Sequence, residues 1–564
     1  MKLDAVLHRP MSEYCHGLDE EHIVYRIRCA MDDIKRVVLH YGDTACRVTP
    51  IIFTAVDMLP VARDKLHQYW EVTVKSPYER VYYYFELFDG EDSIYYYGDI
   101  FTRELVDDRS QYFKLPFNHR ADIARVPDWV HEAVVYNIFP DSFASSCRHI
   151  SGQAMELEFK GQRVSSRLGG TFAGIEQNSD YLAELGINCI YINPVFAAGE
   201  YHKYDLIDYF HTDPCFGGDE QFRSMVQSLH EKGIRVIIDG VFNHCGWYFF
   251  AFDDVVRNQE KSRYKEWFYR LKFPVRRPET PEEYPDYACF AYERMMPKLD
   301  TANPEVCEYL CSVGRYWVEE FDIDGWRLDV SSEVNDGFWR QFRKTVKSVK
   351  PDALLIGEVW ETASHWLQGD MFDSAMNYDM RKHAELFFAR GSIDALEFES
   401  RVTNMLMRYK KQLISSQLSI LDSHDVSRFF SLCGEDKRRL KLAILFMLCF
   451  PGMPTLFYGD ELGLKGVLEH EYRDAMPWQS GDKELYEFCR KAIKLRRSSK
   501  AFCRGDFSVI SAEQGSMLFA FRRRFENESI SVYINAGDEP VACLPEENPV
   551  WAENIDSIGF AIYE

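Results

Sequence analysis

The stretch Gly325-Trp326-Arg327-Leu328-Asp329-Val330 has the composition of a short buried strand that ends on a carboxylate. Two further apolar runs lead to an acid in the same way: residues 354–359 contain Glu358, and residues 418–421 are followed by Asp425. Helical stretches separate the three runs. In a parallel barrel the carboxyl ends of all strands lie at one mouth. The pattern therefore predicts three carboxylates gathered in one place.

Apolar runs of this kind alternate with amphipathic helical stretches from residue 123 to 500, which is typical of repeated βα units. Eight units predict an α/β fold, a (β/α)8 TIM barrel. The long gap 244–300 after the third strand predicts a short inserted domain, because loops of that length usually have a function. The predicted strands are 133–139, 189–193, 236–241, 325–330, 354–359, 372–376, 418–421 and 455–458.

The two ends of the chain have a different pattern. Short alternating segments punctuated by Gly, Asp and Pro fill residues 1–122 and 501–564. They predict an N-terminal β-sandwich, similar to a carbohydrate-binding module, and a smaller C-terminal β-sandwich. The N-terminal strands are rich in tyrosine, as in Val81-Tyr82-Tyr83-Tyr84-Phe85. A sugar-stacking platform would explain this, but aromatic packing in the core or at an interface is the preferred interpretation.

Composition excludes several classes. The net charge of −23 over 564 residues argues against nucleic-acid binding, which needs a basic face. Residues 1–15 lack the apolar core of a signal peptide, and the longest apolar run, 442–451, is too short to cross a membrane. The 15 cysteines show no spacing of a zinc site. We therefore expect a cytoplasmic protein with free thiols, no membrane association and no metal.

The acid-bearing strands also carry basic and aromatic neighbours. Arg327 and Asp329 are two residues apart on a strand and so share a face. A guanidinium beside a carboxyl group favours the ionised form, which an attacking carboxylate needs. Glu358 ends an apolar strand, and apolar surroundings suit a proton donor. His424 could donate to a sugar hydroxyl while Asp425 steadies developing positive charge.

Each motif has a structural alternative. Arg327 and Asp329 could form only an ion pair, and Asp239 and His244 in Asp239-Gly240-Val241-Phe242-Asn243-His244 could only anchor the barrel rim. Together, at the ends of successive strands, they favour catalysis. A nucleophile, a proton donor and a third acid in one cleft are what cleavage of a glycosidic bond requires. The sequence contains no serine-hydrolase elbow, phosphate-binding glycine loop or zinc-protease motif.

At these residues the sequence closely resembles the alpha-amylase family of glycoside hydrolases (glycoside hydrolase family 13). The four signature regions read DGVFNH, GWRLDVSSE, GEVW and LDSHD. Met296-Pro297-Lys298-Leu299-Asp300 and Glu333 are similar to the neopullulanase, cyclomaltodextrinase and maltogenic amylase branch. The N-terminal segment also resembles the extra β-domain of those enzymes, so the resemblance covers nearly the whole chain.

The resemblance implies a role for each residue. Asp329 is expected to be the nucleophile, Glu358 the acid/base and Asp425 the transition-state stabiliser of a retaining hydrolase acting on α-1,4-linked glucans. Tyr204 would stack beneath the sugar at the cleavage site. The residues expected to bind substrate are His202, Tyr204, Asn243, His244, Phe290, Arg327, Glu333, Trp360, His424, Glu469 and Arg473.

The resemblance also implies partners. In this branch the N-terminal domain usually covers the active site of a second subunit, so we expect a homodimer. The narrow cleft that results would admit cyclodextrins and short α-glucan oligosaccharides, and transfer to a sugar acceptor would accompany hydrolysis. The alternatives are an α-1,6-acting or transferring enzyme of the family, or a sugar-binding relative without activity.

Three departures from the family pattern stand out. The calcium loop here reads Ser145-Ser146-Cys147-Arg148-His149, with Gly169-Gly170-Thr171 as its second part, and few carboxylates are left to bind the ion. We therefore predict no calcium and no other cofactor. Glu469 replaces an Asp ahead of Arg473, which leaves preferred substrate length open. Ser331-Ser332 stand before Glu333, where relatives often have Ala-Asn.

Overall fold

The structure is a computed structural model that describes residues 1–105, 107–146, 148–280, 282–541 and 544–564. Cys147 of the predicted calcium loop and Pro281 of the inserted domain lie outside the described residues. The chain divides into two compact units. The first consists of Met1–Arg125, Leu386–Ser415 and Arg504–Glu564, and the second of Val126–Glu385 and Ser416–Cys503.

The N-terminal strands of the first unit form two antiparallel sheets, in the orders β1-β2-β6-β5 and β4-β3-β7-β8-β9, with β10 paired to β7. This confirms the predicted N-terminal β-sheet domain. The strands are β1 Cys15–Gly17, β2 His22–Ala30, β3 Arg36–Asp43, β4 Thr54–Asp57, β5 Leu59–Arg63, β6 His67–Lys75, β7 Val81–Phe88, β8 Ser93–Tyr97, β9 Ile100–Thr102 and β10 Phe113–Leu115.

The tyrosine-rich strand β7 uses both of its faces for packing. Tyr83 and Phe85 belong to the core between the sheets. Tyr84, which points to the opposite face, belongs to a second buried cluster with Tyr97 and Tyr112. The preferred interpretation of aromatic packing is thus confirmed, since the rings contact one another rather than forming an open platform.

The second unit is built on a closed barrel of eight parallel strands, in the order β11-β14-β15-β16-β17-β18-β19-β20. All eight predicted strands are present, shifted by at most two residues at each end. The hairpin β12–β13 after the first strand has no counterpart in the prediction. The strands are β11 Val135–Ile138, β12 Met155–Phe159, β13 Gln162–Ser166, β14 Cys189–Ile192, β15 Arg235–Gly240, β16 Gly325–Leu328, β17 Leu354–Gly357, β18 Ser374–Asn377, β19 Leu418–Ile420 and β20 Met453–Phe457.

The helices follow the strands with amphipathic patterns, and their apolar faces are buried. In α7, for example, Phe338, Trp339 and Phe342 are buried, and the Asn335 side chain caps the helix by accepting from the N–H of Phe338. The helices are α1 Pro140–Phe143, α2 Phe172–Gln177, α3 Ser179–Leu185, α4 Gly218–Glu231, α5 Phe250–Asn258, α6 Pro304–Phe321, α7 Asp336–Val349, α8 Tyr378–Ala384, α9 Ala395–Met407, α10 Lys411–Ile414, α11 Phe429–Leu432, α12 Lys437–Cys449, α13 Glu469–Tyr472, α14 Lys483–Ser498 and α15 Lys500–Arg504.

The segment predicted as an insertion, 244–300, holds α5 and little other regular structure. Isolated bridges tie it together, pairing His244 with Lys298 and Cys289 with Pro297. The insertion therefore begins and ends at the carboxyl end of β15, where a functional site of a barrel lies.

The C-terminal segment forms one antiparallel sheet in the order β21-β22-β23-β25-β24, rather than the two sheets of a sandwich, among the described residues. Ala542 and Cys543 lie outside them. The strands are β21 Asp506–Ala512, β22 Leu518–Phe525, β23 Glu528–Asn535, β24 Trp551–Glu553 and β25 Gly559–Tyr563.

Two global predictions can be compared with the described residues. All of their thirteen cysteines are free thiols, and most are buried. No helix in the described part of the chain is sufficiently long and apolar to span a bilayer.

Candidate active site

A single buried guanidinium stands at the centre of the barrel mouth. The Nη1 atom of Arg327 donates to Asp239 at 2.9 Å and to Asp329 at 2.8 Å. Its Nη2 atom lies 3.0 Å from an oxygen of Glu358 and 3.9 Å from an oxygen of Asp425. The structure thus brings the three predicted acids together around Arg327, with Asp239 as a fourth.

The strand register explains this meeting. Arg327 on β16 pairs with Asp239 on β15, and Leu328 pairs with Gly357 on β17. The ladder continues one residue beyond the strands, because the N–H groups of Asp329 and Glu358 donate to the neighbouring strands, each at 3.0 Å. The acids therefore sit at the same level of adjacent strands and face the same mouth.

Glu358 is surrounded by N–H donors. Its Oε2 atom accepts from the backbone N–H of Val330 at 2.7 Å, and its Oε1 atom accepts from the indole N–H of Trp360 at 2.9 Å. Val330 reaches this position in the left-handed region, at φ 44°, where β-branched residues are rare. The Ser331 hydroxyl fixes the same segment by donating to the carbonyl of Glu358 at 2.7 Å.

Opposing influences act on the pKa of Asp329. Burial raises the pKa of Asp329 well above its usual range, the charge of Glu358 adds to this, and Arg327 opposes it without reversing it. The predicted ion pair with Arg327 is present, but it does not bring the pKa of Asp329 back to its usual range. A neighbouring carboxylate disfavours a second negative charge, which is why Glu358 adds to the rise in the pKa of Asp329.

The pKa of Asp425 is shifted in the opposite direction to that of Asp329. Burial would raise the pKa of Asp425, but His424, Arg327 and Arg473 together lower it below its usual range. The His424 ring lies 3.0 Å from Asp425 through Nε2, while its Nδ1 accepts from the side-chain amide of Asn193 at 2.9 Å. Since Nδ1 accepts, the proton of a neutral His424 ring is on Nε2, facing Asp425.

Tyr204 and His202 lie beside this pair. The Tyr204 hydroxyl donates to Asp239 at 2.8 Å and lies 2.6 Å from Nε2 of His424, and the two rings are parallel within 10° at 5.7 Å. His202 accepts from the backbone N–H of Tyr204 at 3.1 Å. Burial, with the charge of Arg473, lowers the pKa of His202 to about 4. At neutral pH His202 is therefore an uncharged hydrogen-bonding group.

His244 lies across the mouth with Phe290 stacked on it, with ring centres 5.2 Å apart. Its Nε2 atom is buried and has no hydrogen-bond partner among the residues that the structure describes. Burial, followed by the charge of Lys298, lowers the pKa of His244 to about 3. Lys298 donates to the side chain of Asn243 and to Glu333, the latter at 3.1 Å. Asn243 thus holds the Lys298 side chain in place, and Glu333 forms the more exposed edge of this group.

Arg473 and Glu469 form a further pair beside His424 and Asp425. Arg473 donates through Nε to the carbonyl of His424 at 2.7 Å and approaches Asp425 at 3.5 Å. Glu469 accepts from Arg473 at 2.6 Å and from the hydroxyl of Tyr201 at 2.8 Å. Glu469 therefore contacts Tyr201 while it keeps the pairing with Arg473.

Comparison with known proteins agrees with this geometry. The sequence profile described as alpha amylase, catalytic domain, matches residues 137–492, and that of the alpha amylase N-terminal ig-like domain matches residues 1–119. The chain belongs to the alpha-amylase family. It is a glycoside hydrolase, and the predicted resemblance is confirmed.

Individual relatives of this alpha-amylase family member match over almost their full length. A cyclomaltodextrinase of Geobacillus thermopakistaniensis (strain MAS1) is 41% identical over 96% of this chain and 92% of its own. Neopullulanase 2 of Thermoactinomyces vulgaris is 37% identical over 96% and 93%. A solved cyclomaltodextrinase structure superposes with a TM-score of 0.91 at 36% identity, covering 100% of this chain and 98% of that chain.

Several supporting residues of this glycoside hydrolase were not predicted. Asn193 follows β14 and donates to His424, and Tyr191 on that strand donates to Asp239 at 2.8 Å. Tyr378 stacks on Trp360 at 3.9 Å. Asn193 carried a usable signal, since it is a polar residue after a buried strand. Tyr191 and Tyr378 carried none, because an aromatic residue in a buried strand or helix is usually core.

Proposed function

We propose that the protein is a retaining hydrolase that cleaves α-1,4-glucosidic bonds in cyclodextrins and maltodextrins, with pullulan as a further substrate and with transfer to sugar acceptors. The observation that supports this most directly is the shared guanidinium. Arg327 contacts Asp329 through one amino group and Glu358 through the other, at 2.8 and 3.0 Å. This holds two carboxyl groups near enough for a nucleophile and an acid on one bond.

In the first step, an ionised Asp329 oxygen attacks the anomeric carbon while Glu358 gives its proton to the glycosidic oxygen. The bond to the leaving sugar breaks, and a glycosyl ester of Asp329 forms. Glu358 must therefore carry a proton, and Asp329 must be ionised, when the bond breaks. Binding of substrate, whose glycosidic oxygen can accept that proton, favours this distribution.

Charge develops on the sugar ring during this step. Asp425 is suited to stabilise it, because His424, Arg327 and Arg473 outweigh burial and keep the pKa of Asp425 low, so that it remains an anion. In the second step Glu358 removes a proton from water, which attacks the anomeric carbon and releases Asp329. A sugar hydroxyl in place of water gives transfer.

The remaining side chains provide the binding surfaces. His202, His424, Arg473 and Glu469 interact with one another, and we assign them to the donor sugars. Among the described residues His244 Nε2 has no hydrogen-bond partner, and we assign it to a sugar hydroxyl. Phe290, Glu333 and Trp360 are assigned to the acceptor sugars.

A substrate panel tests the proposed function. Purified protein is incubated with β-cyclodextrin, maltotriose and pullulan, and products are separated by chromatography. We expect linear maltodextrin products from the first two, and loss of activity by at least about 1,000-fold in Asp329→Asn. The exposed Asp556→Asn serves as the matched control. Release of no sugar from any of the three by the unaltered protein would overturn the proposal.

We further propose a homodimer formed through the N-terminal domain. Its surface carries exposed apolar side chains, among them Val48 at 54% and Ile52 at 70% exposure, and apolar side chains at a surface are the usual core of a subunit interface. Sedimentation of the unaltered protein and of Val48→Asp/Ile52→Asp tests this. The expected result is a dimer that the double variant shifts toward monomer. A monomeric unaltered protein at micromolar concentration would contradict it.

We also propose that no calcium binds after the first barrel strand. The nearby carboxylate of Asp141 accepts from the N–H groups of Arg167, Leu168 and Gly169 at 3.0–3.1 Å, and the Thr171 hydroxyl caps α2. These oxygens are already used, and calcium needs six or more. Metal analysis after mild chelation should find no calcium. One equivalent retained would refute the proposal.

Finally, we propose a cytoplasmic location, which is supported by the free thiols of the thirteen described cysteines. Fractionation of cells that express the full chain tests this. We expect the activity in the cytoplasmic fraction.

A further inference from the structure

The aromatic side chains exposed on the second unit are concentrated in one segment. Among its described residues five such rings stand exposed, and four of them, Tyr248, Phe250, Tyr284 and Tyr292, belong to the insertion. The fifth is Trp360, which contacts Glu358. Large exposed apolar groups are informative where they cluster.

Tyr284 and Tyr292 are the most exposed of these and form a pair. They are 79% and 83% exposed, and their ring centres are 6.4 Å apart with an interplanar angle of 85°. Edge-to-face contact fixes the rings relative to each other. Both faces of this aromatic pair are left largely open to solvent.

The pair is continuous with the acceptor side of the site. Tyr292 is on a turn closed by the bridge between Cys289 and Pro297, and Phe290, which stacks on His244, lies two residues before it. Two residues span at most about 7 Å. A glucan chain that leaves the site past Phe290 therefore passes close to Tyr292.

The turn is held rather than loose. Ala291 and Tyr292 both adopt left-handed backbone conformations, at φ 43° and 67°, which non-glycine residues rarely do. The carbonyl of Arg294 accepts from the Tyr287 hydroxyl at 2.8 Å, and its guanidinium lies over Trp247 at 5.1 Å. This fixed turn directs the Tyr292 ring outward, so the surface is preorganised to bind.

We propose that Tyr284 and Tyr292 form a distal binding surface for the acceptor end of longer α-glucan chains, where sugar faces stack on the rings. The inference rests on the proposed function, because it names a further contact of the same substrate class. It makes this hydrolase discriminate by chain length, since maltotriose is too short to occupy both the cleavage site and the pair.

The test uses the full chain with the double variant Tyr284→Ala/Tyr292→Ala. The ratio of kcat/KM for maltoheptaose to that for maltotriose should fall about five- to tenfold, because loss of one to two aromatic contacts removes about that factor. Tyr284→Phe/Tyr292→Phe, which keeps the rings, should retain most of the ratio. Phe117→Ala removes an exposed ring of the first unit and should leave the ratio as in the unaltered protein.

An unchanged ratio in the double alanine variant, or an equal fall in Phe117→Ala, would overturn the inference. A fall in this ratio accompanied by dissociation of a dimer in sedimentation would also overturn the inference, because Tyr284 and Tyr292 would then contact a second subunit. Calorimetric binding of maltoheptaose to Glu358→Gln with and without the alanine substitutions separates the two proposals. If the enzyme cleaves no glucan, the proposed function fails, but weaker binding in the alanine variant still supports the distal surface.

Discussion

The indole N–H of Trp360 donates to Oε1 of Glu358 at 2.9 Å, and the same indole ring stacks on Tyr378 at 3.9 Å. One residue that is half exposed thus connects solvent, the acid/base and the barrel wall. Because Val330 and Arg327 approach the other oxygen, three N–H donors face Glu358. These donors therefore fix the position of the Glu358 carboxyl group at the mouth of the barrel.

Replacement of Trp360 by Phe tests this contact. The phenyl ring keeps the stacking on Tyr378 but loses the N–H donor, so one contact that orients the Glu358 carboxyl group is lost. The kcat/KM for maltotriose should fall about five- to tenfold, since one hydrogen bond contributes about 1–1.5 kcal/mol.

Trp129→Phe is the matched control. Its indole N–H donates to the carbonyl of Asp352 at 3.1 Å, before β11 and β17 begin, so it also loses one hydrogen bond but at the opposite end of the barrel. Trp129→Phe should leave the kcat/KM for maltotriose unchanged. If Trp360→Phe also leaves it unchanged, Trp360 acts through stacking alone.

Arg428 is expected to position Arg473. It donates to the carbonyl of Tyr472 and to Asp460, both at 3.0 Å, and its guanidinium is buried. Arg428→Met should raise KM and lower kcat for maltotriose, because the segment that places Arg473 against Asp425 loses its support. It should also destabilise the fold by about 3–5 kcal/mol, since Asp460 is left buried without its cation.

Two further variants separate positioning from stability. Arg428→Lys keeps the charge and should recover part of both losses. Arg490→Met removes an exposed arginine that pairs with Glu487 and should change neither. A destabilised Arg428→Met protein with unaltered kcat and KM at a temperature where it is folded would assign Arg428 to stability only.

Asp205 should make stability depend on pH. Burial raises the pKa of Asp205 to about 7, against the opposing hydrogen bond from the N–H of Glu200. A folded-state pKa above the unfolded value means that the protonated form stabilises the fold. This contribution is complete below about pH 4 and is lost as pH rises to about 7, an effect of up to about 4 kcal/mol.

Asp205→Asn removes the titrating group while an amide oxygen can still accept from Glu200. The melting temperature of the unaltered protein should therefore fall relative to that of Asp205→Asn between pH 5 and pH 7.5. Parallel curves for the two proteins would contradict this. Asp208→Asn is the control, because the pKa of Asp208 is lowered, so its contribution should be lost on acidification instead.

Much of the fold could be predicted because each barrel strand is an apolar run followed by a helix. Strand ends were predicted less well where pairing is short. Phe372 was included in the predicted strand, yet β18 begins at Ser374, because its pairing with β17 begins there, opposite Ile356. The hairpin β12–β13 carried a usable signal, since Met155–Phe159 alternates apolar and charged residues, but it lies outside the apolar runs that mark the barrel strands.

For the site, sequence patterns identified the side chains but not the balance of charge among them. Residues two apart on a strand predicted that Arg327 faces Asp329. They could not show that Glu358 and Asp239 compete for the same guanidinium, since those contacts cross strands. The contacts of Tyr191 and Tyr378 were also out of reach, because they depend on which side chain of another segment each residue meets.

The central claim is a glycosyl ester on Asp329. The most direct measurement incubates the protein with a 5-fluoro-α-glucosyl fluoride, in which fluorine slows the second step more than the first, followed by proteolysis and mass spectrometry. The account predicts one sugar attached to the peptide that contains Asp329, and none in Asp329→Asn. Complete turnover of the fluoride with inversion at the anomeric carbon and no modified peptide would contradict it.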